Sequence, residues 1–327
     1  MPGPFEPPAL LRNRHLQSVL ASLKLRRPFV RRRAKAMLAH SRPIVLCCGG
    51  DVRLMGIYSE NGQKGRGLAV LIHGWEGSAD SVYLVSAAGL LFEHGFDVFR
   101  LNLRDHGDTH HLNPGIFHCC RIDEVVEAVQ RIQELFPRER MFLGGFSLGG
   151  NFCLRVAVRA PARGIRIDKV AAVSPALDPA RAMAAIETGW PLYHAYFLRK
   201  WKKSLEKKRR LFPELADLDD TGRYRTLASL TDFITPRFTD FPDAASYYRG
   251  YAITGDALAR LAVPAHIIAS LDDPVIPAGD LHLLARNPRL TIEATTYGGH
   301  CGFLKNARLQ SWAEERMAEL FLENPAS

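Results

Sequence analysis

From residue 44 onward, short apolar, β-branched runs recur at 44–48, 52–58, 68–72, 97–101, 141–145, 169–173, 265–270 and 290–295. Between many of them, apolar positions return every three or four residues, at 82–94, 121–136, 148–160 and 278–286, with a last such segment at 307–322. The short runs predict strands and the helical spacing predicts amphipathic helices. Strands alternating with helices imply an α/β fold, a mostly parallel central sheet flanked by helices. Only Gly49-Gly50-Asp51 separates the first two runs, so they are expected as an antiparallel hairpin at one edge.

The rhythm breaks at 178–262, where helical segments and aromatics (Trp190, Tyr193, Tyr196, Phe197, Trp201, Tyr247, Tyr248, Tyr251) replace strands. Lying between two core strands, this stretch reads as an inserted helical cap. Residues 9–25 place Leu16, Val19, Leu20 and Leu23 at helical spacing. That helix is expected to pack on the main domain, the alternative being a helix lying on a membrane surface. The expected organisation is an N-terminal arm over 1–42 and one α/β domain over 43–327, with 178–262 as its cap.

Of the 327 residues, 47% are hydrophobic and 24% charged, which is globular and not disordered composition. No apolar run approaches the ~20 residues that span a bilayer. The net charge of +9 is uneven. Residues 1–42 hold ten Lys/Arg and one acid, Glu6, which accounts for the whole excess. The run at 199–210 carries +7, so everything outside these two segments sums to −7. The chain is a mildly acidic body with two basic patches. The patch that includes Lys202, Lys203, Lys207 and Lys208 is expected near the entrance of the site, facing anionic lipid or acidic substrate. Cys47, Cys48, Cys119, Cys120, Cys153 and Cys301 are sparse, four of them in adjacent pairs, and no secretory leader is evident. Reduced thiols and a cytoplasmic location are expected, with peripheral contact to an anionic membrane through the basic segments. Oligomeric state is left open.

Residues 141–150, MFLGGFSLGG, run an apolar strand into Gly145-Phe146-Ser147-Leu148-Gly149 and then a helix. G-x-S-x-G in this strand–turn–helix setting exposes a serine hydroxyl above a helix N-terminus, whose dipole favours developing negative charge. Neither G-x-G-x-x-G at this turn nor G-x-x-x-x-G-K-[ST] is present, which argues against a nucleotide fold.

A serine at neutral pH needs a base, itself oriented by a third group. The strand at 265–270 ends in Ser270-Leu271-Asp272-Asp273-Pro274-Val275-Ile276-Pro277. Asp273 opens D-x-x-x-P and is chosen as the acid over Asp272, which reads as a turn cap. After the last strand comes Tyr297-Gly298-Gly299-His300-Cys301-Gly302, and the flanking glycines let the loop carry His300 over the sheet as the base. The strand at 68–72 ends in His73-Gly74-Trp75-Glu76. Such a turn supplies one backbone N–H to an oxyanion, here assigned to Trp75 with Glu76 as the neighbouring candidate. The other N–H is that of Leu148. His73 reads as structural.

With these residues in view, the chain resembles the YheT-like branch of the α/β-hydrolase superfamily, which includes plant embryogenesis-associated proteins and animal α/β-hydrolase-domain phospholipases. The resemblance covers nearly the whole chain. It is carried by Leu11-Arg12-Asn13-Arg14-His15-Leu16-Gln17, HGWEGSADSVY at 73–83, GFSLGGN at 145–151, FPDAASYYR at 241–249, LARLAVPAHIIASLDDPVIP at 258–277 and GGHCGF at 298–303. It implies an α/β-hydrolase fold and a serine hydrolase of carboxylic esters with Ser147, Asp273 and His300 as its triad. The expected partner is a small-molecule or lipid ester, with no cofactor, metal or nucleic acid. One departure stands at 104–109. There a Gly-rich turn is usual and Arg104-Asp105-His106-Gly107-Asp108-Thr109 is found, with bulk and charge expected to reshape the pocket wall.

Four rival readings compete, one of them a nucleic-acid surface formed by the two basic segments, which is disfavoured because nothing here resembles a known nucleic-acid module. Asp105, His106, Asp108, His110, His111, His118, Cys119 and Cys120 crowd into 105–120 but lack the usual spacing of metal ligands. His118 and Asp123 form the H-x-x-x-x-D of some acyltransferases. In the alternative preferred here, Asp123 caps the following helix and His118 anchors the loop. A non-catalytic scaffold is weakened by a competent residue at each triad position.

Overall fold

The computed structural model describes residues 5–62 and 66–323; residues 1–4 of the expected arm and 324–327 of the expected domain lie outside the described residues. The chain opens with helices α1 (Arg14–Ser22), α2 (Arg27–Arg33) and α3 (Lys35–Ala39). The hairpin β1 (Ser41–Cys47) and β2 (Arg53–Ser59) follows, then β3 (Leu68–Ile72), α4 (Val82–Glu93), β4 (Asp97–Asn102), α5 (Ile122–Leu135), β5 (Met141–Phe146), α6 (Leu148–Arg159) and β6 (Lys169–Val173). Between β6 and β7 (Ala265–Ser270) the chain forms α7 (Pro179–Thr188), α8 (Pro191–Leu211), α9 (Leu227–Phe238) and α10 (Ala244–Tyr251). It closes with β8 (Leu290–Thr295) and α11 (Trp312–Leu322).

All eight expected strands form, in the order β1-β2-β4-β3-β5-β6-β7-β8. β2 runs antiparallel to β1 and β4, and the other pairs are parallel. Every residue of β3, β4, β5 and β6 is buried, because helices cover both faces. Ala69, Leu71 and Phe142 meet Leu84, Leu91, Met317 and Phe321 of α4 and α11 on one face. On the other face Val70, Ile72 and Leu143 meet Val126, Val129 and Leu154 of α5 and α6.

Three helical expectations change. The segment 9–25 is not one helix: it breaks at Asn13, whose side chain accepts from the N–H groups of His15 and Leu16 and so starts α1 afresh. The stretch expected as helical at 278–286 is a 3-10 turn over Ala278–Leu283, since the Leu283 carbonyl is drawn away to the Gly255 N–H. The last helix starts at Trp312, not 307, because Leu304 first pairs with Ser311.

The arm packs through an unexpected side. Gln17, Ser18 and Ala21 of α1 are buried, while Leu16 and Leu23 of the anticipated apolar face are exposed. Further on, Val30, Ala34 and Met37 enter the core beside α4. Arg26 is 2% exposed and donates to both oxygens of buried Glu314, at 2.8 and 2.9 Å, and to Ser86 at 3.1 Å.

The basic run of α8 also differs from expectation. Lys208, taken above for part of a charged entrance, is 1% exposed. Its ammonium donates to Asp105 Oδ1 at 2.7 Å and to the carbonyls of His110 and Asn113, which uses all three N–H donors. Lys207 pairs with Asp108, Arg209 with Asp219 and Arg210 with Glu206. Lys202 donates to the Gly222 carbonyl. Much of the cationic run is thus neutralised within the fold, and it fastens α8 to the loop after β4. Lys208→Met strands Asp105 as a buried, half-satisfied charge, and urea unfolding should register a loss of about 3–5 kcal/mol. Adding Asp105→Asn should return part of it.

Candidate active site

β5 ends at Phe146 and α6 begins at Leu148, so Ser147 alone makes the turn. Its backbone sits at φ 53° and ψ −120°, a strained region for a residue with a side chain. A Cβ on Gly145 would lie 2.4 Å from the Gly149 backbone, and one on Gly149 2.1 Å from the Ile72 carbonyl oxygen. Only glycine fits either place. The Ser147 hydroxyl is left at the N-terminus of α6.

The loop after β8 brings His300 to this hydroxyl, with Nε2 2.9 Å from Ser147 Oγ. His300 Nδ1 lies 2.9 Å from Asp273 Oδ2 and 3.2 Å from Oδ1. Asp273 follows β7 and is itself held by the N–H groups of Val275 and Ile276, at 2.8 and 2.9 Å. Asp272 points elsewhere and accepts the Gly299 N–H at 2.8 Å, which ties the histidine loop to the strand β7 turn. Both aspartates therefore serve the loop, and Asp273 faces the ring. The carboxylate orients Nδ1–H toward itself and leaves Nε2 to accept from the serine. Burial works against the imidazolium, but the Asp273 charge, with Cys301 alongside, raises the His300 pKa well above its ordinary value.

The arm reaches the same loop. Ser18 Oγ accepts the His300 N–H at 2.8 Å. Gln17 accepts the Leu304 N–H at 2.6 Å and donates to the Leu304 and Leu11 carbonyls at 3.1 and 2.7 Å. A Cβ on Gly299 (φ 56°) would stand 2.4 Å from the Arg14 carbonyl oxygen. Reading for chemistry passed over Ser18 and Gln17. Their one signal was polarity on one side of an otherwise amphipathic helix, Gln17 closing the segment that carried the N-terminal resemblance and Ser18 following it.

Two buried histidines shape the turn after β3. His73 Nδ1 meets the Gly74 carbonyl at 2.7 Å while Nε2 accepts the Leu103 N–H at 3.2 Å. His106 Nδ1 meets the Arg104 carbonyl at 2.7 Å and Nε2 accepts the Glu76 N–H at 3.1 Å. Each ring donates once and accepts once, so each is neutral. Burial lowers the pKa of both, that of His106 to about 4. The Glu76 N–H, the neighbouring oxyanion candidate, is thereby occupied. Among the described residues, the N–H groups of Trp75 and Leu148 meet no acceptor. A Cβ on Gly74 would come 3.2 Å from Ser147 Cβ, so this turn abuts the serine. The unusual 104–109 segment does not merely thicken a wall: His106 steadies the turn and Asp105 receives α8. Over the turn, the Trp75 ring stacks on Phe197 at 5.2 Å and meets Trp201 edge-on at 5.4 Å.

The rival constellations are dispersed. Among the described residues no three His, Cys, Asp or Glu groups converge as metal ligands. His110 bonds Ser204 at 2.9 Å and His106 bonds the Glu76 N–H. Asp123 does not cap α5 as expected: the cap position is Arg121, and Asp123 lies exposed inside the first turn without a bond to His118. Its charge complements the helix dipole instead.

Glu76 is set between this turn and α8. Burial raises its carboxyl pKa to about 7 from 4.5, against the pull of Lys200 and with help from Asp105. The folded protein thus keeps a proton that the unfolded chain releases, and stability falls as pH rises from 4.5 to about 7. Glu76→Gln removes that loss. Its Tm should match the unaltered chain near about pH 4 and exceed it near about pH 8.

Comparison with known proteins bears on the same elements. The α/β-hydrolase fold family matches residues 69–307. The phospholipase ABHD3 of Bos taurus is 21% identical over 295 residues, covering 86% of this chain and 70% of that protein. The putative esterase YheT of Escherichia coli is 27% identical over 263 residues, covering 76% of this chain and 75% of its own. Among solved structures, the Pyrococcus furiosus esterase Pf2001 superposes with a TM-score of 0.56 at 16% identity, over 89% of this chain and 92% of that one. With the strand order, the serine turn and this match in agreement, the chain belongs to the α/β-hydrolase fold family, in its YheT-like branch.

Proposed function

We propose that this hydrolase cleaves carboxylic esters through an acyl-enzyme formed on Ser147. The observation that carries the reading is the hydrogen-bonded chain from Ser147 Oγ through His300 to Asp273, set beside the N–H groups of Trp75 and Leu148, which meet no acceptor among the described residues. His300 Nε2 takes the hydroxyl proton as Oγ attacks the ester carbonyl. Asp273 holds the ring and stabilises the imidazolium, in keeping with the raised His300 pKa. The two N–H groups receive the oxyanion. The imidazolium then returns its proton to the leaving alcohol, and water releases the acid by the reverse path. The chemistry calls for no group beyond these side chains and water. Relatives named as a phospholipase and a putative esterase support ester substrates of small-molecule or lipid type. The helical insertion of 178–262 acts as the cap, its Phe197 and Trp201 closing over Trp75 with an apolar surface suited to an acyl chain.

The unaltered chain should turn over p-nitrophenyl esters and take a fluorophosphonate label, and Ser147→Ala should lose both. Absence of turnover and of labelling in the unaltered chain would leave a scaffold. Protonated His300 cannot accept a proton, so kcat/KM should rise with pH through a limb above 6.5. Asp273→Asn should lower kcat about 10⁴-fold and move the limb down.

Ser18 acts through His300, as a positioning residue. Ser18→Ala should lower kcat about tenfold or more with KM little changed, by misplacing the ring. Ser18→Thr, which keeps the acceptor, should restore most of it. Equal losses in both variants would make the contact purely structural.

A further inference from the structure

The arm breaks the ordinary rule for a surface helix. α1 buries Gln17, Ser18 and Ala21 and leaves Leu16 and Leu23 of its apolar ridge exposed. Of the fourteen large apolar side chains exposed among the described residues, five lie between residues 10 and 29: Leu10 is 87% exposed, Leu25 70%, Phe29 60%, Leu16 38% and Leu23 37%. Such a concentration on a water-facing segment marks a contact surface. Interleaved with it are exposed Arg12, Arg14, Arg27, Arg31 and Arg32, none of which meets a carboxylate among the described residues. In the α8 run Lys207, Lys208, Arg209 and Arg210 pair with carboxylates, whereas most arginines of the arm are left facing solvent.

We propose that the outward face of the arm docks on an anionic lipid surface. Leucine and phenylalanine tips flanked by arginines match the acyl–headgroup boundary, where apolar groups enter and guanidiniums meet phosphate. The same charges oppose pairing of this face with a second copy of itself. Nucleic acid would leave the apolar tips without a partner.

Position ties the surface to the site. The His15 ring packs on Trp190 at 4.9 Å and its Nδ1 meets Tyr193 Oη at 3.1 Å, so α1 adjoins the start of α8. There Trp190, Leu192 and Tyr196 are themselves exposed, and one turn further Phe197 and Trp201 cover Trp75. On its inner side α1 grips the His300 loop. A lipid surface that receives the arm therefore meets the edge of the cap beside Ser147. Docking stands apart from the hydrolase reading; its use, to take esters from the bilayer, rests on it.

The test is sedimentation of the full chain, as Ser147→Ala, with vesicles of phosphatidylcholine alone and of phosphatidylcholine doped with phosphatidylglycerol. Binding is expected to the doped vesicles and to weaken with salt. It should fall about tenfold or more in the triple variant Leu23→Ser/Leu25→Ser/Phe29→Ser, whose exposed positions leave Tm unchanged and, with Ser147 in place, leave turnover of soluble p-nitrophenyl esters unchanged. No binding to the doped vesicles would overturn the proposal, as would equal binding by the triple variant, which reduces the effect to charge adsorption. Self-association abolished by the same variant, without vesicle binding, would assign the face to a second copy and also overturn it. Vesicle binding without ester turnover by the unaltered chain would sink the hydrolase reading and leave docking intact; the reverse pattern would sink docking alone.

Discussion

Strand β5 has to become helix α6 within one residue, and the geometry around Ser147 follows from that constraint. The turn is possible because Gly145 and Gly149 have no side chains where the backbones of β3 and α6 press together. Backbone strain of the order of 1–3 kcal/mol is held there by neighbours buried on all sides. Once the serine is fixed at the helix N-terminus, the rest of the site has one place to be: the turn after β3 abuts it, and the loops after β7 and β8 converge on it from the same sheet edge. A parallel sheet delivers its carboxyl ends together, so residues 75, 147, 273 and 300 become neighbours through topology alone.

Two attachments from outside this sheet complete the arrangement. From the N-terminal side, α1 places a hydroxyl and an amide against the loop that carries His300. From the insertion, α8 sends Lys208 into a pocket of three oxygens beside Asp105, while His106 in the same segment steadies the turn of Trp75. The departure at 104–109 thus has a physical role. Bulk and charge there link the helical insertion to the turn that faces the serine, where a glycine-rich turn would offer neither contact.

Much of the fold and of the candidate site was legible because it rests on local pattern. The runs of β3 and β5, buried on both faces, are unbroken and apolar, and the partly exposed runs of β1, β2 and β8 are short and β-branched between turn residues, so all eight could be read directly. G-x-S-x-G, D-x-x-x-P and the glycine-flanked His300 carry their geometry in their own backbone requirements. Spacing singled out Asp273, the aspartate that faces the His300 ring, though the bond Asp272 makes to Gly299 was not legible. What stayed hidden were polar groups whose partners lie far along the chain: Ser18 with residue 300, Gln17 with 304, Arg26 with 314 and Lys208 with 105. In sequence, a lysine in a basic run looks the same whether solvated or sealed.

The amino-acid sequence by itself determined the order of elements, the serine turn and the identities of the residues that meet there, since each depends on periodicity or on the steric demands of a few neighbours. Tertiary structure decided which side of the arm faces inward, which N–H groups beside the serine are taken, and which charges are spent. Those outcomes depend on competition for burial and for hydrogen-bond partners between segments hundreds of residues apart. A helix with an apolar ridge packs that ridge inward only if its polar side has no better partner. Here the His300 loop offers Gln17 and Ser18 one, and Leu16 and Leu23 are left exposed.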